Sequence, residues 1–168
     1  MPRDLDAEYD EPEATEGFAS LLPLTVFLRN AVEGLLIARG WRHHQNPDGD
    51  FEFDLKSAGT KLTFTLGHDD SEGAYTVQAA SGLDIAPDDA GRALELCNRW
   101  NIEQWWPKVY VESAGEETEF RRFRSEDVLR TGATLSQALV DEFTGAALDS
   151  ARRFWDWLYE QDPGLEMQ

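Results

Sequence analysis

The stretch Leu94–Ser113, LELCNRWNIEQWWPKVYVES, decides how this chain is read. A helical pattern runs out through Trp100, Trp105 and Trp106, meets Pro107, and becomes an alternating strand from Lys108 to Ser113. Bulky aromatic side chains at such a corner fix how a helix lies on a sheet. Asn98 and Asn101 fall near the helix end, where an amide side chain can satisfy orphan carbonyls or order the following turn. The corner therefore speaks for architecture more than for chemistry. Its structural residues are Asn98, Trp100, Asn101, Pro107 and Tyr110.

Upstream, a helix begins near Pro87, with Asp88 and Asp89 in its first turn, where the helix dipole favours anions. Its buried stripe is expected at Ala90, Ala93, Leu94, Cys97, Trp100 and Asn101. Four short strands precede it. Trp41 to Gln45 leads into the turn Asn46-Pro47-Asp48-Gly49, whose residues favour a reversal. Phe51, Phe53 and Leu55 then alternate with Glu52, Asp54 and Lys56. Leu62, Phe64 and Leu66 alternate with threonines, and Tyr75, Val77 and Ala79 with Thr76 and Gln78. This period of two reads as an antiparallel meander with one buried face. A first helix spans Pro23 to Arg39 with Leu24, Phe27, Leu28, Ala31, Leu35 and Ile37 on its stripe, and Gly40 supplies a left-handed stop.

Downstream, a turn at Ala114-Gly115-Glu116 leads to a strand, Thr118 to Arg124. Thr134 with Gln137 fits a capping box that opens the last helix. Leu135, Leu139, Phe143, Ala147, Ala151, Phe154 and Leu158 form its stripe, and Asp162-Pro163-Gly164 ends it. Gly145 inside weakens that helix by about 1 kcal/mol relative to Ala and admits close packing. The order is helix, four strands, helix, two strands, helix. Helices gathered on one face of an antiparallel sheet make an α+β sandwich. We expect one domain over residues 21–162, an acidic disordered tail at 1–20 and a short tail at 163–168.

Composition bounds the function. The chain has 168 residues, 41% hydrophobic and 11% aromatic, enough for a sizeable core. Its formal net charge is -18, with a pI near 4.3. Such a surface repels phosphate backbones and anionic membranes, so neither nucleic acid nor a membrane is an expected partner; basic or neutral partners are favoured. Residues 1–16 carry seven acidic side chains and one Arg, and are read as a solubilising tail. There is no apolar run of membrane-spanning length, no positive-then-apolar secretory pattern, and a single cysteine, Cys97. A reducing, cytoplasmic setting is the expectation.

The search for chemistry returns little. His43 and His44 are adjacent, so on a strand they point to opposite faces. His68 with Asp69 or Asp70 could join them across a hairpin, but nothing in the spacing requires a metal. Cys97 lies on a buried stripe near a helix C-terminus, away from the groups that activate a thiol. The Arg121-Arg122-Arg124 cluster is read as pairing with nearby carboxylates. No nucleophile elbow, phosphate loop, dinucleotide fingerprint or zinc spacing is present. No catalytic residue, metal or cofactor is expected. Partner binding falls instead to Trp105, Trp106, Trp155 and Trp157. The last two are two apart on a helix, so one of them is less buried than the other.

The corner, with Asn98 and Asn101, the aromatic run and the Lys108-Val109-Tyr110-Val111 strand, resembles the YbjN family of bacterial proteins. So do Gly132, Thr134 and Leu135, opening a helix that carries Phe143, Phe154 and Trp155. The likeness runs from about Leu21 to Tyr159. It implies a fold like that of type III secretion chaperones, with helices against a strongly curved antiparallel sheet. It also implies a sensory transduction regulator, non-catalytic, homodimeric and protein-binding. The expected function is a chaperone-like regulatory module for a protein or peptide partner, or alternatively a small-molecule sensor with a pocket between sheet and helices.

Overall fold

The computed structural model describes residues 24–57, 60–69, 71, 73–82, 84–113, 119–131 and 135–161. Pro23, Asp70, Thr134, the 114–116 turn, the acidic tail and the segment after Gln161 lie outside these residues. The elements are α1 (Leu24–Ala38), β1 (His43–Gln45), β2 (Phe51–Ser57), β3 (Thr60–Asp69), β4 (Ala74–Ser81), α2 (Ala90–Glu103), β5 (Lys108–Ser113), β6 (Arg121–Arg130) and α3 (Gln137–Gln161). A 3₁₀ turn at Pro87–Asp89 leads into α2. The order is the α+β arrangement that the hydrophobic periods predict.

All six strands form one antiparallel sheet, ordered β1-β2-β3-β4-β6-β5. One register row crosses it as Phe53, Phe64, Ala79, Ser125 and Val109, all buried. The neighbouring row of the opposite face reads Asp54, Thr63, Ala80, Arg124 and Tyr110. Strand alternation thus gives a core face and a polar face. Phe154 and Trp155 of α3, Leu28 and Leu36 of α1 and Trp100 of α2 all join the same core.

Local chemistry explains the joints. Gly40 has φ +66°, and its N–H donates to Ile37 O while Trp41 N–H donates to Leu36 O, the paired bonds that close a helix on a left-handed glycine. Asn46 Oδ1 accepts from the N–H groups of Asp48 and Asp50, ordering the first hairpin. At the start of α3, Ser136 is the cap, accepting from Leu139 N–H at 3.2 Å. Thr134 of the expected capping box lies outside the described residues, and the Gln137 amide donates to Ala31 O of α1 and to Asp141.

Further readings of the sequence change, beginning with Ile37, which is exposed while Leu36 is buried on α1. Leu94 is exposed and Leu96 takes its place on the α2 stripe. β6 continues six residues past Arg124; Ser125 and Asp127 hide the alternation because they are polar residues facing the core. Gly145 is not a close-packing site, since a Cβ there would meet nothing within 4 Å.

Candidate functional site

The 94–113 corner divides into a pinned half and an open half. On the pinned side, Trp100 is buried and its indole Nε1–H donates to Pro107 O at 3.0 Å. Its ring meets Phe154 and Trp157 edge-on, each at 5.3 Å. Asn101 then imitates a strand. Its Nδ2 donates to Val109 O at 2.8 Å, and its Oδ1 accepts from Val109 N–H at 3.1 Å. β5 is an outer strand of the sheet, so the amide covers part of an edge that would otherwise present unpaired backbone. Pro107 is buried after a cis bond from Trp106. Asn98 is exposed on α2, and Tyr110 is half-buried on the polar face.

On the open side, Ile102, Trp105 and Trp106 are 84%, 87% and 54% exposed. They line a groove of about 500 Å³ with Lys108, Glu126 and Val128. Its floor is a second consequence of the register. Lys108, the first residue of β5, pairs with Glu126, so β6 outruns β5 by four residues. Val109 turns its N–H and C=O away from β6, so Lys108 and Glu126 exchange the ladder bonds. By alternation Val128 turns its own N–H and C=O toward the space beyond the start of β5. Among the described residues no strand pairs with it there.

Trp106 also borders a cavity of about 240 Å³ between β6 and α3, with Phe143, Ala147, Ser150, Arg153 and Asp127. Asp127 is 3% exposed. Its Oδ2 accepts from Ser150 Oγ at 2.7 Å, and Oδ1 is buried without a hydrogen-bond partner among the described residues. Burial pushes the carboxyl up to about 6, against the opposing pull of the Ser150 bond. Asp127 is not among the residues that the sequence pattern singles out. The only signal was an acid at a position in phase with Phe123.

The four tryptophans expected at a binding surface separate. Trp105 and Trp106 reach solvent. Trp155 does not: it is fully buried, 4.8 Å from Phe154, on a stripe formed with Ala151, Phe154 and Leu158. It is removed from the set, because α3 buries a wider face than the predicted stripe. Trp157 is the less buried of that pair, but the Arg99 guanidinium covers its ring at 4.9 Å.

The remaining candidates are occupied by local contacts. His43 Nδ1 lies 2.9 Å from Trp41 O, and His44 faces Glu52 at 3.3 Å. β2 separates both from His68 on β3, and among the described residues no three His, Cys, Asp or Glu converge. Burial pushes the Cys97 thiol up to about 12, which leaves it protonated. Arg122 pairs with Asp84 at 2.6 Å, and Arg124 with Glu112 and Gln78. No described helix is long and apolar enough to cross a membrane.

Comparison with curated proteins finds no match. Among solved structures, YbjN from E. coli, described as "a putative transcription regulator", is similar in fold. The TM-score is 0.60 at 8% identity, covering 75% of this chain and 86% of that one. The YbjN family, described as "Putative bacterial sensory transduction regulator", matches residues 28–160. On that match, which spans the pinned corner and nearly all of the sheet and helices, the chain belongs to the YbjN family.

Proposed function

We infer that this chain is a non-catalytic, cytoplasmic regulatory protein that captures a basic segment of a partner protein in the groove at Trp105 and Trp106. One observation carries the reading: two adjacent tryptophans stand in solvent on a joint that is itself rigidly pinned by Trp100 and Asn101. Exposed aromatics on a fixed frame supply contact area at little entropic cost, and such residues dominate interface energetics. The Val128 backbone offers an edge against which an extended segment can add as a strand. A net charge of -18 favours a basic occupant. The family's description as a regulator agrees with this role.

The test uses the full chain with a photo-crosslinker at Trp105 or, as a control, at Thr63 on the polar face. A partner captured only from Trp105, and bound more weakly by a Trp105→Ala/Trp106→Ala variant, supports the reading. Equal capture from both positions, or unchanged affinity in the variant, would falsify it. Light scattering addresses the expected homodimer: a dimer dissolved by that variant would reassign the groove to a second copy of this chain.

A second reading, a small-molecule sensor, is favoured by the cavity of about 240 Å³ between β6 and α3. Ligand-dependent thermal shifts that a Trp106→Ala variant abolishes would support it.

A further inference from the structure

Asp127 has no evident use in the fold. The register row Phe51, Leu66 and Val77 runs under the helices and reaches β6 at Asp127. A valine there would continue the core. A carboxylate instead incurs desolvation, which is offset only where hydrogen bonds replace water. Ser150 supplies one such bond, and its single hydroxyl proton is shared with Ala147 O at 2.9 Å. The second carboxylate oxygen is buried and has no partner among the described residues, and Asp127 lines the 240 Å³ cavity.

The other walls define what would fit. Phe143 and Ala147 are apolar, and Trp106 adds an indole side chain. An acceptor lacking a donor, beside an apolar and aromatic chamber, is complementary to a cationic donor on a hydrocarbon stem. We propose that this cavity binds a protonated primary amine on an apolar stem, with the ammonium donating to Asp127 Oδ1 and the stem lying between Phe143 and Trp106. The inference names a ligand class for the sensor reading and needs nothing of the peptide groove. The same chemistry has two sources, a free alkylamine or the lysine side chain of a partner.

Two charged groups act on Asp127 besides the ligand. Glu126 neighbours it on β6, and Arg153 faces it from α3 at the cavity wall. Arg153 opposes an ammonium held at the rim, so the stem must be long enough to carry the charge past it. An ammonium at Oδ1 stabilises the ionised carboxylate, so binding strengthens as pH rises through about 6.

The experiment is calorimetric titration of the full chain with n-butylamine, with n-butanol as the neutral control. Matched peptides with lysine or norleucine at their centre form the second arm. Wild type should bind n-butylamine well above n-butanol, and Asp127→Asn, with an unchanged circular dichroism spectrum, should weaken amine binding by at least about tenfold. A lysine peptide that binds more tightly than n-butylamine assigns the source to a partner's side chain; equal affinity assigns it to a free amine. Should Asp127→Asn fail to fold, Ser150→Ala serves instead. Loss of that bond raises the carboxyl further, moving the pH midpoint of amine binding upward. No amine binding at millimolar concentration, equal binding of amine and alcohol, or an unmoved midpoint in Ser150→Ala overturns the proposal. So does a cavity ligand of other chemistry that survives Asp127→Asn, and that last result leaves the sensor reading standing.

Discussion

Trp100 and Trp106 are six residues apart in one corner and live in opposite solvents. Trp100 is enclosed by Phe154 and Trp157 and donates its indole hydrogen to Pro107 O. Trp106 is more than half exposed and borders two cavities. The same residue type thus serves as peg and as rim. What separates them is register. Trp100 is on the core stripe of α2, three residues beyond Cys97, whereas Trp105 and Trp106 occupy the turn where the helix has ended and β5 has not begun. Aromatic density marks the corner, and helical phase decides which aromatic is core.

The comparison breaks first at Trp100. Trp100→Ala empties a core position and frees Pro107 O, and should cost about 3–5 kcal/mol by urea denaturation. A cost below about 1 kcal/mol would mean that the corner relaxes around the gap and is not a rigid frame.

Asp127, on the core side of Trp106, sharpens the comparison through pH. Its carboxyl rises from 3.8 to about 6 on folding. Below 3.8 both folded and unfolded chains hold the proton, and that stability is fully present. As pH rises the unfolded chain ionises first, so stability is lost until about 6 and is level above it. The gap corresponds to roughly 3 kcal/mol, an upper figure for a group with one hydrogen bond. Asp127→Asn should flatten this fall and raise stability at neutral pH. A variant that keeps the wild-type slope between those pH values would place the titration elsewhere.

Asn101→Ala comes next. It removes both bonds to Val109, and water at the sheet edge replaces them in part, for a loss of about 1–2 kcal/mol. Hydrogen exchange at Val109 should quicken with it. Slower loss at β5 than at α2 would contradict the amide's role as a clamp.

Much of the fold was legible because its signals are local. Period-two runs over residues 51–56 and 62–66, and Gly40 beyond a helical stripe, carry their structure in adjacent residues. The site was legible by halves. Trp105 and Trp106 are marked by type and place, but the spacing of Trp155 and Trp157 says only that one of them is less buried, because a helical stripe read from spacing is narrower than the face that packing buries. Asp127 was missed for a related reason. Its position becomes meaningful only when Val77 and Phe51 are brought beside it by strand pairing. The clamp of Asn101 on Val109 was open in the same way, since the residue type allowed several turn roles and only the register selects one.

Gly145 provides a smaller test within α3, beside the cavity. A Cβ there meets nothing within 4 Å, so Gly145→Ala should stabilise by about 1 kcal/mol, read as a higher melting temperature. Destabilisation would restore the close approach that the sequence suggested.

The smallest expected effect on stability is the most discriminating. Trp105→Ala with Trp106→Ala removes two large side chains, yet exposed residues away from core features usually change stability by no more than about 0.5 kcal/mol each. Partner affinity should fall much further, because hot-spot interface tryptophans contribute about 2 kcal/mol or more on truncation. Near-native denaturation with lost binding is the signature of a rim. A loss of stability comparable to that of Trp100→Ala would make Trp106 a second peg. The groove would then be a consequence of packing, and the contrast between the two halves of the corner would disappear.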